Sequence, residues 1–418
     1  MIFETDFRQA ASASVATAYF ASSAARVFSI LNDPSSWGQT RTPRVSSASS
    51  PSKVVLSFEG VERATVSISS WRTDFCQIEV VLDGFPDDLA KAELESYWLE
   101  IWKMLVGRLG TRSSVVASSP AKVNVFFAVG AFLKNGFHEV ASCYQALNLR
   151  EVVSVELEGR FSIDFAGPMA TLCKQAVPTD ASNLVYKAAL AIRKLNTNVL
   201  PELVSFVIHK SVPIAGGMAG GSADGAAALV ALENLFDVDL GPQLPKVAAK
   251  LGSDVPFSLL GGTAIGTGRG EKLSKIETDA ILHWVMTPSS AGLSTPDVYR
   301  KLDVMRTEFG VDVSTLEKPE VPEELVSALI SGDAAEVARY MHNDLEVAAL
   351  ALRPELADTI EAGRKAGALK SMVSGSGPTI AHLAKDRIHA EQIANRLAGV
   401  GLPSIATYTS VSGTRLEN

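Results

Sequence analysis

A chain of 418 residues exceeds what one hydrophobic core ordinarily holds, and 47% apolar with 20% charged residues excludes disorder and collagen-like repeats. The 38 Lys and Arg against 46 Asp and Glu leave a net charge of −8, which argues against a dedicated nucleic-acid or membrane-surface protein, since either needs a basic face. Three widely spaced cysteines, Cys76, Cys143 and Cys173, suit neither a disulfide framework nor a zinc site and point to a reducing cytoplasm. No stretch reaches the ~18 uncharged apolar residues of a membrane span. The small, uncharged segment Ala10–Ala25 follows Glu4 and Asp6 and lacks a leucine-rich centre, so a secretory signal is not expected.

In chain order, a short helical pattern over Ala25–Leu31 follows Ser22 and Ser23 and stops at Asn32-Asp33-Pro34. A Ser/Pro/Arg-rich loop is expected as far as Ser52, then strands over Lys53–Glu59, Arg63–Trp71 and Phe75–Val81, with a turn at Gly60. Leu94, Tyr97, Trp98, Ile101, Trp102, Leu105 and Leu109 make one stripe of a long helix that Gly110 can end. Thr111–Ser114 reads as a joint, so a first α+β domain is expected over 1–111. Beyond it the chain is richer in Gly and Ala. Strands are expected at Val115–Ala131, Glu139–Leu149, Glu151–Leu157, Phe161–Phe165, Leu203–Lys210 and Gly262–Ile265, with helices at Ser182–Leu195 and Ser222–Phe236. From Ile281 a second pattern places strands at Ile281–Thr287, Thr379–Ala384 and Ile405–Val411. Helices at Glu323–Ile330, Leu356–Ala366 and Ile388–Leu397 lie between them. The resulting boundaries are 112–280 and 281–418.

The strongest chemical signal is the loop Pro213-Ile-Ala-Gly-Gly-Met-Ala-Gly-Gly-Ser-Ala-Asp224, which runs into an apolar helix. Gly216, Gly217, Gly220 and Gly221 let backbone N–H groups approach an anion, and the helix N-terminus behind them favours negative charge. Ser222 can cap that helix or contact a phosphate or metal. The loop is no Walker A motif, because the Gly-Lys-Ser/Thr ending is missing. In Ser119-Pro-Ala-Lys-Val-Asn124, Lys122 and Asn124 share one face of a strand, although a snorkelling edge lysine reads equally well from the pattern. Asp254 in Leu251-Gly-Ser-Asp-Val-Pro256 suits a turn or cap as well as a catalytic base. Ser374-Gly-Ser-Gly-Pro378 follows an apolar strand and is either an anion-binding turn or a hinge.

Together and in this order, these blocks, with Gly136-Phe137-His138, resemble the GHMP small-molecule kinases from about Ser114 to Ser412. Within them the chain is similar to the branch that phosphorylates the 2-hydroxyl of a cytidyl diphosphate sugar alcohol in non-mevalonate isoprenoid precursor synthesis. The resemblance implies ATP as phosphoryl donor with Mg²⁺, Asp254 as catalytic base and Lys122 as its partner. It implies ATP contacts from Pro213, Ala215, Gly216, Gly217, Met218, Ala219, Gly220, Gly221 and Ser222, with Asn183 and Lys210 near the nucleotide. Phe137 and Tyr299 would grip the cytosine, His138 would read its edge, and Asn124 would help hold the substrate. No residue is implied as a direct metal ligand, and nothing in the pattern fixes an oligomeric state.

Several positions depart from the family pattern. Asn135 replaces an Asp, Phe137 replaces a frequent Tyr, and Ala215 and Ala219 stand where glycines are common, so both are expected at negative φ. The first domain resembles a helix-grip (START-like, SRPBCC) module, a fold that often holds an apolar ligand, though Trp98, Ile101 and Trp102 suit plain core filling as well. The expected fold class is therefore α+β: a two-domain GHMP kinase fold preceded by a small helix-grip-like domain. Rival readings are a homoserine- or mevalonate-type member, favoured less by Gly136-Phe137-His138 and Ser294–Tyr299, and a non-catalytic ligand-binding protein built on the first domain.

Overall fold

The computed structural model describes all residues except 1, 4–7, 11–12, 21–22, 40–41, 59–61, 73–74, 110–113, 134–135, 158–160, 196–200, 202–203, 215, 237, 290–291, 410 and 418. The expectations for Ser22, Gly60, Gly110, the joint from Thr111, Asn135 and Ala215 lie outside the described residues. The chain divides into two compact units. One comprises Met1–Val115 with Val155–Ser162 and Asn196–Phe206, and the other comprises the remainder.

The first unit is built on an antiparallel sheet. Its elements are β1 (Ile2–Phe3), β2 (Arg8–Ala10), β3 (Ala13–Phe20), α1 (Ala24–Leu31), β4 (Arg44–Ser49), β5 (Lys53–Ser57), β6 (Arg63–Arg72), β7 (Phe75–Asp83) and the long α2 (Asp88–Leu109). The strand order is β1-β3-β7-β6-β5-β4, with β2 beside β3. Ser23 caps α1 by accepting a hydrogen bond from the Arg26 N–H. Alternation in β5 puts Val54 and Leu56 inside, where they meet the stripe Leu94, Trp98, Ile101, Trp102 and Leu105 of α2. The Trp98 and Trp102 rings lie 5.6 Å apart, and both side chains fill the core. One expectation changes here: the Ser-rich stretch expected as a loop contains the exposed edge strand β4, which pairs with β5. Small polar residues carry little periodicity, and pairing with a neighbouring strand decides their conformation instead.

After α2 the chain forms β8 (Ser114–Phe132), β9 (His138–Leu157), β10 (Ser162–Ala166), α3 (Ala170–Ala176), α4 (Leu184–Arg193), β11 (Val204–His209) and α5 (Gly220–Phe236), of which Val155–Leu157, Ser162 and Val204–Phe206 fall in the first unit and the residues from Val116 otherwise in the second. It continues through α6 (Leu244–Leu251), α7 (Val255–Leu260), β12 (Thr263–Thr267), β13 (Lys272–Ile276), β14 (His283–Thr287), α8 (Thr295–Glu308), α9 (Glu323–Ser331) and α10 (Ala334–Tyr340). It closes with β15 (His342–Asn343), α11 (Glu346–Leu352), α12 (Glu355–Lys365), β16 (Lys370–Val373), β17 (Ile380–Ala384), α13 (Arg387–Gly399), β18 (Ile405–Tyr408) and β19 (Arg415–Glu417). One sheet runs β10-β11-β9-β12-β13, with β8 pairing β9, β15 and β19, and the other runs β16-β17-β14-β18.

The two strands expected at Glu139–Leu149 and Glu151–Leu157 are one, β9. Arg150 does not break it, because the guanidinium donates to the carbonyls of Ser118, Ser412 and Gly413. Helix α5 begins at Gly220, so Ser222 sits in its first turn rather than capping it. Ala219 has a φ of +59°, which overturns the expectation of negative φ. The left-handed conformation costs a residue with a Cβ about 1–2 kcal/mol, and the loop holds it at the point of entry into α5. Among the described residues, no helix is long and apolar enough to cross a membrane.

Candidate active site

Strand β8 carries Lys122 into a cavity of about 680 Å3 that is also lined by Asp254, Gly217, Ala219, Tyr144, Phe137, His138, Arg269 and Tyr299. Lys122 and Asn124 share a face of β8, as the period of two requires. The Lys122 ammonium donates to Asn124 Oδ1 at 2.5 Å, Asn124 Nδ2 donates to Ser142 Oγ at 2.8 Å, and that hydroxyl donates to the Phe126 carbonyl. Asn124 is fully buried, so it aims the lysine and does not face the cavity. The Lys122 Nζ lies 3.9 Å from Asp254 Oδ2 and over the Tyr144 ring. Burial pulls the Lys122 pKa below its ordinary value, and the charge on Asp254 only partly restores it.

Asp254 occupies the N-cap position of α7, but its side chain makes no capping hydrogen bond. A helix this short, with Pro256 in its first turn, begins without it, and the carboxylate stays available to the cavity. The cap reading therefore fails for the side chain, though not for the position.

The glycine loop is tied to the strand that bears Lys122: the Lys122 N–H donates to the Met218 carbonyl at 3.1 Å. Gly217 has a φ of +70°, and a Cβ there would collide with the carbonyls of Ser374 and Gly377. At Gly216 a Cβ would stand 2.8 Å from Thr379 Oγ1. These two glycines let the 374–379 turn close over the loop. That turn is held in its own right, since Asn343 Nδ2 donates to the carbonyls of Val373 and Gly375, each at 2.8 Å. At Gly221 a Cβ would meet open space, so the N-terminus of α5 has room beside it for an anion.

At the other end of the cavity, Gly136, at a φ of +83°, turns the chain into β9, leaving Phe137 49% exposed. His138 Nε2 lies 2.9 Å from Asp303 Oδ1, and its ring stacks on Tyr299 with centroids 5.0 Å apart. Burial, then the charges on Asp254 and Asp303, push the Tyr299 phenol well above its ordinary pKa, so it stays neutral.

Two family profiles match the chain, the GHMP kinases N terminal domain over residues 183–262 and the GHMP kinases C terminal domain over residues 325–401. A 4-diphosphocytidyl-2-C-methyl-D-erythritol kinase of Rhodococcus jostii (strain RHA1) is 45% identical over 309 residues, covering 73% of this chain and 95% of that protein. The chain belongs to the 4-diphosphocytidyl-2-C-methyl-D-erythritol kinase family, within the GHMP kinases. The kinase of the same description from Nocardia farcinica (strain IFM 10152) is 44% identical over 307 residues, 73% of this chain and 96% of that protein. A crystal structure of 4-(cytidine 5'-diphospho)-2C-methyl-D-erythritol kinase superposes with a TM-score of 0.57 at 28% identity, covering 71% of this chain and all of that one.

In this kinase the cavity gathers Lys122, Gly217, Ala219, Asp254, Phe137, His138 and Tyr299, and leaves other expected residues outside it. Asn183 caps α4, accepting from Val185 N–H and donating to the Pro178 carbonyl, and does not line the cavity. Pro213 lines a second cavity of about 770 Å3 with Ile214, Pro378 and Leu402. Met218 is fully buried in the core cluster that holds Ala121, Val123 and Val125, and its carbonyl accepts from the Lys122 N–H. Lys210 is locked behind the loop, 2.5 Å from Glu151 Oε1 and 2.8 Å from Asp224 Oδ2. Burial and the neighbouring Asp224 carboxylate raise the Glu151 pKa to about 7, against the lowering by Lys210. Sequence reasoning missed Tyr144, Arg269, Asp303 and Asn343. A cue existed for Arg269, which stands between two glycines, but none marked the others.

Proposed function

We infer that this protein is an ATP-dependent kinase that phosphorylates the 2-hydroxyl of 4-diphosphocytidyl-2-C-methyl-D-erythritol, in the non-mevalonate route to isoprenoid precursors. The observation that carries the reading is the approach of Lys122 to Asp254 in a cavity whose far end holds Phe137, His138 and Tyr299. Asp254 takes the proton of the 2-hydroxyl as that oxygen attacks the γ-phosphorus, and the bond to the bridging oxygen breaks to release ADP. Lys122 orients the hydroxyl and the carboxylate and offsets negative charge as the phosphoryl group moves, in a reaction governed by positioning and electrostatics. The phosphates are received by Gly216, Gly217, Ala219, Gly220, Gly221 and Ser222 at the start of α5, where N–H groups and the helix dipole favour anions.

Mg²⁺ fits these surroundings. Mg²⁺ takes most of its ligands from phosphates and water and needs few protein side chains. Ser222, half-buried in the first turn of α5, is the side chain that would hold it, and the bound ion would neutralise phosphate charge.

The cytosine is gripped by Phe137 and Tyr299. His138, with Nε2 occupied by Asp303, reads the base through its other nitrogen or through the stacked ring. Asn183 and Lys210 serve the nucleotide indirectly, by holding α4 and the glycine loop. The kinase domains span 112–280 and 281–418, and 1–111 form a helix-grip accessory domain, a reading supported by the antiparallel sheet and the long α2. A cytoplasmic location accords with the three free, buried thiols. The deciding experiment is ATP turnover by the purified protein against a panel of the cytidyl alcohol, homoserine and mevalonate. Turnover is expected with the first, and selective turnover of either other alcohol refutes the assignment.

A further inference from the structure

The cavity is lined by four basic side chains, Lys122, His138, Arg269 and Arg300, and three of them are committed. Lys122 belongs to the reacting end, His138 is bound to Asp303, and Arg300 pairs with Asp297 at 2.9 Å on a largely exposed side chain. Arg269 is different. Among the described residues its carboxylate neighbour is Glu271, 3.9 Å from Nε and so beyond hydrogen-bonding distance, and its guanidinium carbon lies 4.9 Å from the centroid of the Phe137 ring.

The hairpin between β12 and β13 is shaped to present this residue. Gly268 and Gly270 flank it at φ values of +73° and +100°, and a Cβ on Gly270 would collide with the Tyr144 hydroxyl. The Val140 N–H donates to the Gly268 carbonyl at 2.8 Å, and the Arg269 N–H donates to Glu271 Oε2 at 2.7 Å, so the tip is fastened on both sides. The backbone is thus fixed while the guanidinium, with its side chain 35% exposed, faces the cavity.

Resting on the functional reading above, we propose that Arg269 is a specificity-determining residue that recognises the diphosphate of the second substrate. Covalent order places the diphosphate between the alcohol, at Lys122 and Asp254, and the base, at Phe137 and Tyr299. A planar guanidinium laid on one of those rings offers paired N–H donors to phosphate oxygens, which a lysine or an aromatic alone does not. Its contact with Phe137 also keeps the fork in place before the ligand arrives.

The test compares wild type, R269M and R269K, with R269Q in reserve should R269M not fold. Titration with cytidine and with CDP is run beside steady-state kinetics. R269M is expected to weaken CDP by about tenfold or more, with cytidine far less affected, because a charge-assisted pair is lost. The KM for the cytidyl alcohol should rise in parallel while kcat and the KM for ATP stay within about twofold, the mark of lost ground-state binding. R269K should recover part of the CDP affinity. Equal losses for cytidine and CDP would make Arg269 a prop for the Phe137 ring and overturn the proposal, as would an unchanged KM. Failure of the wild type itself to bind CDP refutes the functional reading, and this proposal with it.

Discussion

Lys122 and Lys210 are almost equally sealed from water, at 5% and 3% exposure, yet their surroundings set them to opposite tasks. Lys210 stands between Glu151 and Asp224 within hydrogen-bonding distance of both, and although burial alone would pull its pKa down, the two carboxylates raise it. Lys122 has one carboxylate at 3.9 Å and an amide oxygen in contact, and burial prevails there. A buried lysine with two close counter-charges is a fixed cation that joins β9, β11 and α5. One with a distant counter-charge beside a cavity has charge to offer an incoming group. Burial alone does not distinguish them, but the number and distance of carboxylates does.

Removing the fixed cation is the hardest blow to the fold. Lys210→Met leaves two buried carboxylates without their counter-charge, with Glu151 keeping only the Ser211 N–H, and loss of one member of such a group costs about 3–5 kcal/mol. The loss depends on pH in a defined direction. Glu151, raised to about 7 from its ordinary 4.5, contributes stability that is fully present below 4.5 and lost as pH rises through about 7. Without Lys210 the carboxylates hold their protons more tightly still, so the deficit in melting temperature should be smaller at pH 5 than at pH 8. An equal deficit at both would show that the triad does not titrate as the structure implies.

A smaller effect separates the far end of the cavity from the glycine loop. Phe137→Ala and Tyr299→Ala should weaken the cytidyl substrate by about 1–3 kcal/mol each and leave the KM for ATP nearly unchanged. Phe137 is exposed and Tyr299 packs against His138, so only the tyrosine variant should lower the melting temperature. Parallel losses for ATP and the cytidyl substrate would contradict the division of the site. Smallest of all on turnover should be deletion of 1–111. The cavity residues all lie beyond Ser119, whereas Val155–Ser162 and Asn196–Phe206 fall in the first compact unit. The fragment 112–418 should thus keep its turnover and melt at a lower temperature, as measured beside the full chain. Complete loss of activity would make the first unit integral to catalysis.

The two lysines were not equally legible. Lys122 announces itself, because a charged residue alternating with Val123 and Val125 on an apolar strand is conspicuous, and the glycine loop is conspicuous for its composition. The partners of Lys210 leave no such trace. Glu151 lies on a strand far upstream and Asp224 inside a helix of small residues, so only the packing of β9, β11 and α5 joins them. Tyr299 was found by resemblance, although α8, the helix that carries it, was not: its Asp, Arg and Lys content hides the Val298 and Leu302 stripe that buries it. Ala219 shows the reverse failure. Residue preference argued for negative φ, and the contacts of the loop override a propensity of that size.

The measurement that reaches the central claim most directly is a double-mutant cycle on the dyad, with kcat read for Asp254→Asn, Lys122→Met and the pair, using ATP and the cytidyl alcohol. Each single change should lower kcat by at least ~10²-fold with the melting temperature little altered, and the pair should be hardly worse than either alone, because residues that act as a unit do not add. Near-normal turnover in Asp254→Asn, or losses that multiply fully in the double variant, would contradict a shared role for Lys122 and Asp254.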